Sequence, residues 1–160
     1  MRYLLRAWQL LGIGLFWLAW PVLFFYLRQN ERTRLVVVAS GTILVVKNWL
    51  GNGKWSLPGG GMNHNEVPAD AVQREVKEEL GLALTPDKIE LLTTSPYRSN
   101  GFRFNCHYFK AVLPWQAPLK PTFPEIFETG WLDPKMLSTK NANADVITAV
   151  QTLSSQNLLQ

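Results

Sequence analysis

Apolar residues recur with a helical period after residue 68. Their spacing predicts a helix of about 13 residues, at about 100° of rotation per residue. Pro68 suits the first helical position because proline has no N–H to donate, and Gly81 suits the position just past the end. The predicted core-facing side comprises Ala69, Val72, Val76 and Leu80.

The flanking segments have the composition of β-strands. Residues 34–47 form two β-branched apolar runs split by Ser40-Gly41, which indicates either one kinked strand or two strands joined by a turn. Residues 88–99 and 102–113 flank Asn100-Gly101, a sequence typical of a type I′ hairpin. The remaining predicted elements are a stiff proline-rich loop over 114–124, a strand over 125–132 and a closing helix over 142–155.

Acidic side chains lie beside the apolar face of the predicted helix. Glu75, Glu78 and Glu79 fall within an arc of roughly 100°. Lys77 points away from them, and only Arg74 can reach Glu78 at an i,i+4 spacing. Carboxylates this close repel one another unless a cation lies between them, and a hard divalent metal ion is the natural candidate. The alternative is an acidic surface helix with one internal ion pair.

The segment from Gly60 to Leu82 carries the strongest signal in the chain. Its fixed positions are Gly60, then Glu66 after five residues, then, after seven more, Arg74-Glu75-Val76-x-Glu78-Glu79-x-Gly81-Leu82. This pattern resembles the signature box of the Nudix hydrolases, and every defining position matches. The box covers 23 of the 160 residues, and the preceding Trp55-Ser56-Leu57-Pro58-Gly59 looks like the usual lead-in.

The resemblance implies both a fold and a reaction. The implied fold is an α/β Nudix fold, a mixed β-sheet sandwiched between helices, in which the box forms a loop–helix–loop. The implied reaction is cleavage by water of a pyrophosphate bond in a nucleoside diphosphate linked to another moiety. Mg²⁺, or Mn²⁺ as an alternative, would neutralise this anionic substrate, position it and acidify a bound water.

Residue roles follow from the motif positions of the resemblance. The implied metal ligands are Glu75, Glu78, Glu79 and the backbone carbonyl of Gly60. Glu66 and Arg74 would complete the catalytic set by orienting the acids through hydrogen bonds. A carboxylate not fully used by the metal can take a proton from water. Which glutamate does so differs within the family.

Four charged residues outside the box are weaker candidates for substrate contact. Glu125 and Glu128 lie where many family members supply an extra acid, and they fit equally well as surface acids near a strand start. Arg98 and Arg103 flank the hairpin tip and could reach phosphate oxygens, although solvated strand-edge charges explain them better. Aromatic residues that could stack on a base, with core packing as their more ordinary role, are Trp49, Trp55, Tyr97, Phe102 and Trp115.

The N-terminal segment predicts a membrane anchor. Residues 8–27 contain Gln9 but no charge, and a helix of this length spans a hydrocarbon core. A secretory signal has a shorter apolar region and a small-residue cleavage site. A signal peptide or a buried helix is the alternative. We therefore expect a single-pass transmembrane helix within an anchor segment 1–34, and a Nudix domain over 35–160 on the cytoplasmic side, where nucleotides and Mg²⁺ are abundant.

The net charge of +4 arises in this N-terminal segment. Residues 1–34 hold five arginines and one acid, whereas residues 35–160 hold 11 basic and 11 acidic residues. The basic pI is therefore no reason to expect nucleic-acid binding. The expected partners are a nucleotide-type small-molecule substrate, the membrane and, as in many family members, a second copy of the chain in a homodimer.

Two functions of different classes fit the sequence. The first is a membrane-anchored, Mg²⁺-dependent Nudix pyrophosphohydrolase. The second is a non-catalytic, membrane-tethered module that binds or senses nucleotides on the same fold. The acid set favours the enzyme, because a binding module has no need for three metal-facing glutamates together with Glu66 and Arg74.

Overall fold

A computed structural model describes residues 2–27, 31–99 and 102–156. Its helices are α1 (Arg2–Leu27), α2 (Pro68–Leu80) and α3 (Ala144–Ser155). Its strands are β1 (Arg32–Ala39), β2 (Thr42–Asn48), β3 (Glu90–Ser99), β4 (Phe102–Leu113) and β5 (Ile126–Leu132). Two short 3₁₀ helices, Pro86–Lys88 and Pro134–Met136, lead into β3 and follow β5.

The five strands form one mixed sheet in the order β3-β4-β1-β2-β5. β1 runs parallel to β4, with Leu35 opposite Phe109, and the other neighbouring pairs are antiparallel. β1 is therefore a central strand that pairs on both sides. This position explains why its apolar run is nearly continuous, since a central strand is covered on both faces.

The two faces of the sheet bury separate cores. Leu35 and Val37 of β1 face the core that includes Val76 and Leu80 of α2. Val36 and Val38 face the opposite core, which includes residues of α3. Successive side chains of a strand point to opposite faces, so one strand serves both cores. The prediction of a mixed sheet sandwiched between helices is confirmed.

Local signals in the sequence located the main elements. Ser40 and Gly41 both have positive φ values, 49° and 72°, so residues 34–47 form two strands joined by a tight turn. The helix predicted from Pro68 to Leu80 has those bounds, and Gly81 ends it in the left-handed conformation with φ 65°. β3 and β4 pair as a hairpin, with Ser99 opposite Phe102. The predicted Asn100-Gly101 turn lies outside the described residues.

Helix α1 contacts the loop that follows β2. Trp8 stacks on Trp49 with ring centroids 5.0 Å apart, and the Trp49 indole N–H donates to the Trp8 carbonyl at 3.0 Å. A Cβ on Gly12 would collide with Trp49, so the absence of a side chain there permits this approach. Phe16 is buried on the same helix. Part of the apolar composition of α1 is therefore used in packing against the domain.

The structure does not support the expected anchor over residues 8–27. Within the described part of the chain, no helix combines the length and apolarity needed to cross a membrane. The expected membrane partner is likewise unsupported, and the cytoplasmic location of the domain stays a prediction. Arg32 and Arg34, which fall within the predicted anchor segment 1–34, lie in β1. Homodimerisation stays a prediction.

Replacing Leu80 should test how α2 is held on the sheet. Leu80 is fully buried in the core beneath α2, so Leu80→Ala should lower the free energy of unfolding by about 2–5 kcal/mol. Lys77→Ala, on the exposed side of the same helix, should change it by less than about 0.5 kcal/mol. Urea denaturation followed by circular dichroism measures both. Equal effects from the two variants would contradict this packing.

Candidate active site

Glu75, Glu78 and Glu79 lie in the last two turns of α2. Glu75 and Glu79 face the turn at Gly59 and Gly60, the glycine turn, which precedes the helix. The side chain of Glu78 is 61% exposed. The C-terminal end of a helix carries a partial negative charge, so acids are disfavoured there and a bound cation is favoured. Residues of the proline-rich loop cap this end: Lys120 N–H donates to the Leu80 carbonyl and Thr122 N–H to the Glu79 carbonyl, both at 2.8 Å.

Arg74 holds three of the acids together. Its guanidinium binds both carboxylate oxygens of Glu66, at 2.8 and 2.9 Å. The same group donates to Glu75 at 2.7 Å and to Glu78 at 3.2 Å. The hydrogen bond from Arg74, together with one from the backbone N–H of Asn63, lowers the pKa of Glu66 to about 2. Glu66 is therefore ionised throughout the physiological range, and its charge in turn fixes Arg74.

Glu79 differs from the other acids in its surroundings. Its residue is only 3% exposed, and its Oε2 accepts a hydrogen bond from the Gly59 N–H at 2.8 Å. Burial raises the pKa of Glu79 to about 7, although the Gly59 N–H and Arg34 favour its charged form. A buried carboxylate with a raised pKa is a group whose charge a bound cation would stabilise.

The glycine turn fits between β1 and α2 because it carries no side chains. Gly59 has φ 123°, and a Cβ there would lie 2.5 Å from the Thr33 carbonyl oxygen. A Cβ on Gly60 would collide with the Glu75 carboxylate. The Gly60 carbonyl accepts the Thr33 N–H at 2.9 Å, and a carbonyl oxygen has a second lone pair that can bind a metal. These contacts bring Gly60, Glu75 and Glu79 to one place.

The donor set has the chemistry that a hard divalent cation requires. Carboxylate and carbonyl oxygens are the ligands that Mg²⁺ prefers, and the buried Glu79 provides the charge that such an ion would offset. Among the described residues, however, no group of three or more His, Cys, Asp or Glu side chains is already arranged around one metal position. Glu75 and Glu78 instead point toward Arg74. The second carboxylate oxygen of Glu75, Oε2, lies at Gly60 in the glycine turn.

The weaker sequence candidates lie at varied distances from the acids. Glu125 is close enough to Glu79 to contribute to its raised pKa. Glu128 pairs with Lys47 at 2.7 Å on neighbouring strands. Arg98 and Arg103 lie opposite each other near the hairpin tip, and both are exposed.

The aromatic candidates are also scattered. Trp49 stacks on Trp8, Lys47 lies 4.1 Å from the ring centroid of Trp55, and Tyr97 stacks on Phe104 at 4.6 Å. Trp115 is 67% exposed. The side chain of Phe102 lies outside the described residues.

Sequence reasoning missed three charged residues next to the site. Arg34 and Asp145 form a buried ion pair behind the glycine turn. The buried Nε of Arg32 has no hydrogen-bond partner within the described part of the chain, and its guanidinium lies 5.3 Å from the ring centroid of Phe104. Burial and the neighbouring Arg34 lower the pKa of Arg32 to about 10, while Glu75 opposes this change. The signal available in the sequence was the i,i+2 spacing of Arg32 and Arg34 at the start of an otherwise apolar strand.

Comparison with known proteins decides the family. A family model described as the NUDIX domain matches residues 29–151. The chain belongs to the Nudix family. The prediction of a Nudix hydrolase is thereby confirmed at the level of the family, and the matched range contains the predicted signature box, residues 60–82.

Curated relatives match the chain over a short segment. An RNA pyrophosphohydrolase of Xanthomonas campestris pv. campestris (strain B100) is 48% identical over 42 residues, which is 26% of this chain and 20% of the relative. The protein of the same description from Stenotrophomonas maltophilia (strain K279a) is 45% identical over 42 residues, 26% of this chain and 19% of the relative. The matched segment thus spans about a fifth of the length of these curated relatives.

Solved structures match over most of the chain. A MutT Nudix hydrolase from Burkholderia pseudomallei superimposes with a TM-score of 0.68 at 25% identity, covering 78% of this chain and 97% of that one. A C. elegans Ap4A hydrolase in a binary complex gives a TM-score of 0.65 at 19% identity, with coverage of 80% and 97%. The second likeness shows the fold alone.

The raised pKa of Glu79 predicts pH-dependent metal binding. Below pH 7 the metal-free protein holds a proton on Glu79, and a metal must displace it. Mn²⁺ affinity should therefore fall by about tenfold per pH unit below 7 and level off above it. Titrations followed by electron paramagnetic resonance at pH 5.5 to 8 measure this. Glu79→Gln should bind weakly with little pH dependence, and an unchanged slope in that variant would assign the proton elsewhere.

Proposed function

We propose that this Nudix protein is a divalent-metal-dependent pyrophosphohydrolase that cleaves a pyrophosphate bond in a nucleoside diphosphate linked to another moiety. The supporting observation is that the glycine turn contacts the acids near the C-terminal end of α2. There, Gly59 donates to the buried Glu79 and Gly60 contacts Glu75. Two acids and a backbone carbonyl of the right chemistry therefore converge in one place.

The predicted metal ligands, Arg74 and Glu66 each have a part in this proposal. Mg²⁺, or Mn²⁺ in its place, would supply charge neutralisation and an acidified water when bound. It would be held by Glu75, Glu78, Glu79 and the Gly60 carbonyl. Arg74 keeps Glu75 and Glu78 from repelling each other in the metal-free protein, and Glu66 anchors Arg74 through two hydrogen bonds.

Cations and acids around the box are proposed to contact substrate. Glu75 is close enough to Arg32 to raise the pKa of the guanidinium, and Arg32 has a buried donor available, which suits a phosphate oxygen. Glu125, beside Glu79, is the best placed of the weaker acidic candidates. Glu128, Arg98 and Arg103 would contact only a substrate that extends toward the β2–β5 edge or the hairpin.

One observation favours a non-catalytic nucleotide-binding module as the second candidate. Arg74 already pairs with Glu75 and Glu78, so both carboxylates have a cationic partner without a metal ion. A module that only binds nucleotide could retain such an arrangement. Activity of the full chain discriminates between the two candidates.

The substrate class requires a panel assay. The relatives described as RNA pyrophosphohydrolase and the Ap4A hydrolase differ in what their names say they act on, and neither description transfers to this chain. The panel therefore contains ADP-ribose, nucleoside triphosphates, diadenosine tetraphosphate, a sugar nucleotide and an RNA with a 5′-terminal triphosphate. The full chain is assayed with Mg²⁺ and with Mn²⁺.

Replacing Glu79 tests the proposal most simply. Glu79→Gln keeps the size of the side chain and removes its charge, so cleavage of whichever substrate is accepted should fall by about 100-fold or more. Glu90→Gln, at a side chain 73% exposed on β3, should leave the rate unchanged. Initial rates of product release measure both variants.

The alternative outcome is equally definite. A folded chain that binds nucleotide but cleaves no member of the panel would exclude the hydrolase and favour the binding module. Cleavage that survives unchanged in Glu79→Gln would also contradict the proposal.

A further inference from the structure

A buried ion pair lies behind the glycine turn, outside the signature box. Arg34 of β1 and Asp145 of α3 approach to 3.2 Å, with side chains 12% and 1% exposed. This pair connects the central strand to the helix on the opposite face of the sheet from α2. It contributes no side chain to the acid cluster itself.

Both members of the pair form hydrogen bonds with the backbone of the segment that leads into the glycine turn. Asp145 accepts the Leu57 N–H at 3.1 Å, and the Arg34 guanidinium donates to the Gly59 carbonyl. Asp145 also accepts the backbone N–H of Val146 at 2.9 Å. The segment from Leu57 to Gly59 is thus held from one side by the two partners of a single ion pair.

The contacts of the pair oppose the cost of burying two charges. Burial alone would lower the pKa of Arg34, but the contact with Asp145 raises it above its ordinary value. Burial raises the pKa of Asp145, and Arg34 and two backbone N–H donors oppose that rise. Three donors around one carboxylate favour its ionised form, so we treat the contact as an ion pair.

Gly59 connects this pair to the acid site. Its carbonyl accepts from Arg34, and its N–H donates to Glu79 at 2.8 Å. A glycine has more backbone freedom than any other residue, so the direction of its N–H must be fixed by external contacts. The Gly59 N–H belongs to the peptide group shared with Pro58, whose carbonyl accepts the Leu35 N–H at 2.9 Å. The Gly59 carbonyl belongs to the next peptide group and accepts from Arg34. These two contacts, with the Leu57 N–H bonded to Asp145, fix the backbone on both sides of the Gly59 N–H.

We propose that Arg34 and Asp145 are positioning residues of the acid site. Through the Leu57 N–H and the Gly59 carbonyl they hold the backbone on both sides of the Pro58–Gly59 peptide, so that the Gly59 N–H orients the Glu79 carboxylate for a divalent metal ion. The proposal deepens the proposed function and rests on it, because it takes Glu79 as a metal ligand. It assigns a role to two residues that lie 111 positions apart in the sequence.

The energetics of a buried ion pair allow the positioning role to be distinguished from a role in stability alone. A buried ion pair contributes little to stability, because desolvation of both charges offsets their attraction, and apolar replacement of both partners is often neutral or stabilising. Replacing both Arg34 and Asp145 should therefore keep the fold and remove the contacts that position Gly59. Removing one partner alone would leave a buried unpaired charge and could unfold the protein.

The test uses the double variant Arg34→Met/Asp145→Leu in the full chain. Its control is Lys110→Met/Glu90→Gln, which removes an ion pair of 3.0 Å between β3 and β4. Mn²⁺ affinity is measured by electron paramagnetic resonance without substrate, and exchange of the Gly59 amide proton by nuclear magnetic resonance. We expect the dissociation constant for Mn²⁺ to rise at least tenfold and the Gly59 amide to exchange at least tenfold faster in the first variant only.

Each outcome is decisive. A folded double variant with unchanged Mn²⁺ affinity and unchanged Gly59 exchange would overturn the proposal. If the double variant does not fold, Arg34→Lys decides, since a lysine cannot span both Asp145 and the Gly59 carbonyl as the guanidinium does. Severalfold weaker Mn²⁺ binding in Arg34→Lys supports the proposal, and wild-type binding overturns it.

The proposed function can fail separately. If the wild-type chain binds no Mn²⁺, the metal-dependent hydrolase is excluded. Exchange of the Gly59 amide proton then still tests the positioning role. Faster exchange in the double variant supports that role, and unchanged exchange overturns it.

Discussion

The closeness of the Gly59-Gly60 turn to both β1 and α2 is the constraint on which the site depends. The turn follows the backbone of Thr33 on one side and the carboxylates of Glu75 and Glu79 on the other, with no room for a Cβ at either glycine. Backbone groups, which have fixed directions once the peptide is held, therefore contact the acids directly. This arrangement brings a loop, a central strand and a helix end together without a single bulky side chain between them.

Electrostatics at this junction are divided between two arginines. Arg74 neutralises the exposed part of the acid cluster by binding Glu66, Glu75 and Glu78. Arg34 lies behind the turn, pairs with Asp145 and acts on Glu79 only at longer range. Glu79 is left as the least compensated acid, buried at the negative end of a helix dipole. A divalent cation is the partner that would complete this balance of charge.

The sequence allowed the acid helix and its box to be predicted because their signals are local. The 3.6-residue period, Pro68 and Gly81 fixed α2 to the residue. The pairing of Arg34 with Asp145 could not be predicted, since it joins the first strand to the last helix. The contact of the N-terminal helix with Trp49 could not be predicted for a related reason: the apolar composition of a segment does not show which surface it packs against.

The position of a bound metal ion tests the central claim most directly. Crystals of the full chain grown with Mn²⁺ would be examined by anomalous diffraction at the manganese edge. The account predicts a peak at the junction of the Gly60 carbonyl with Glu75 and Glu79. A Mn²⁺ ion bound elsewhere on the molecule, with Glu79 still bonded only to Gly59, would contradict it.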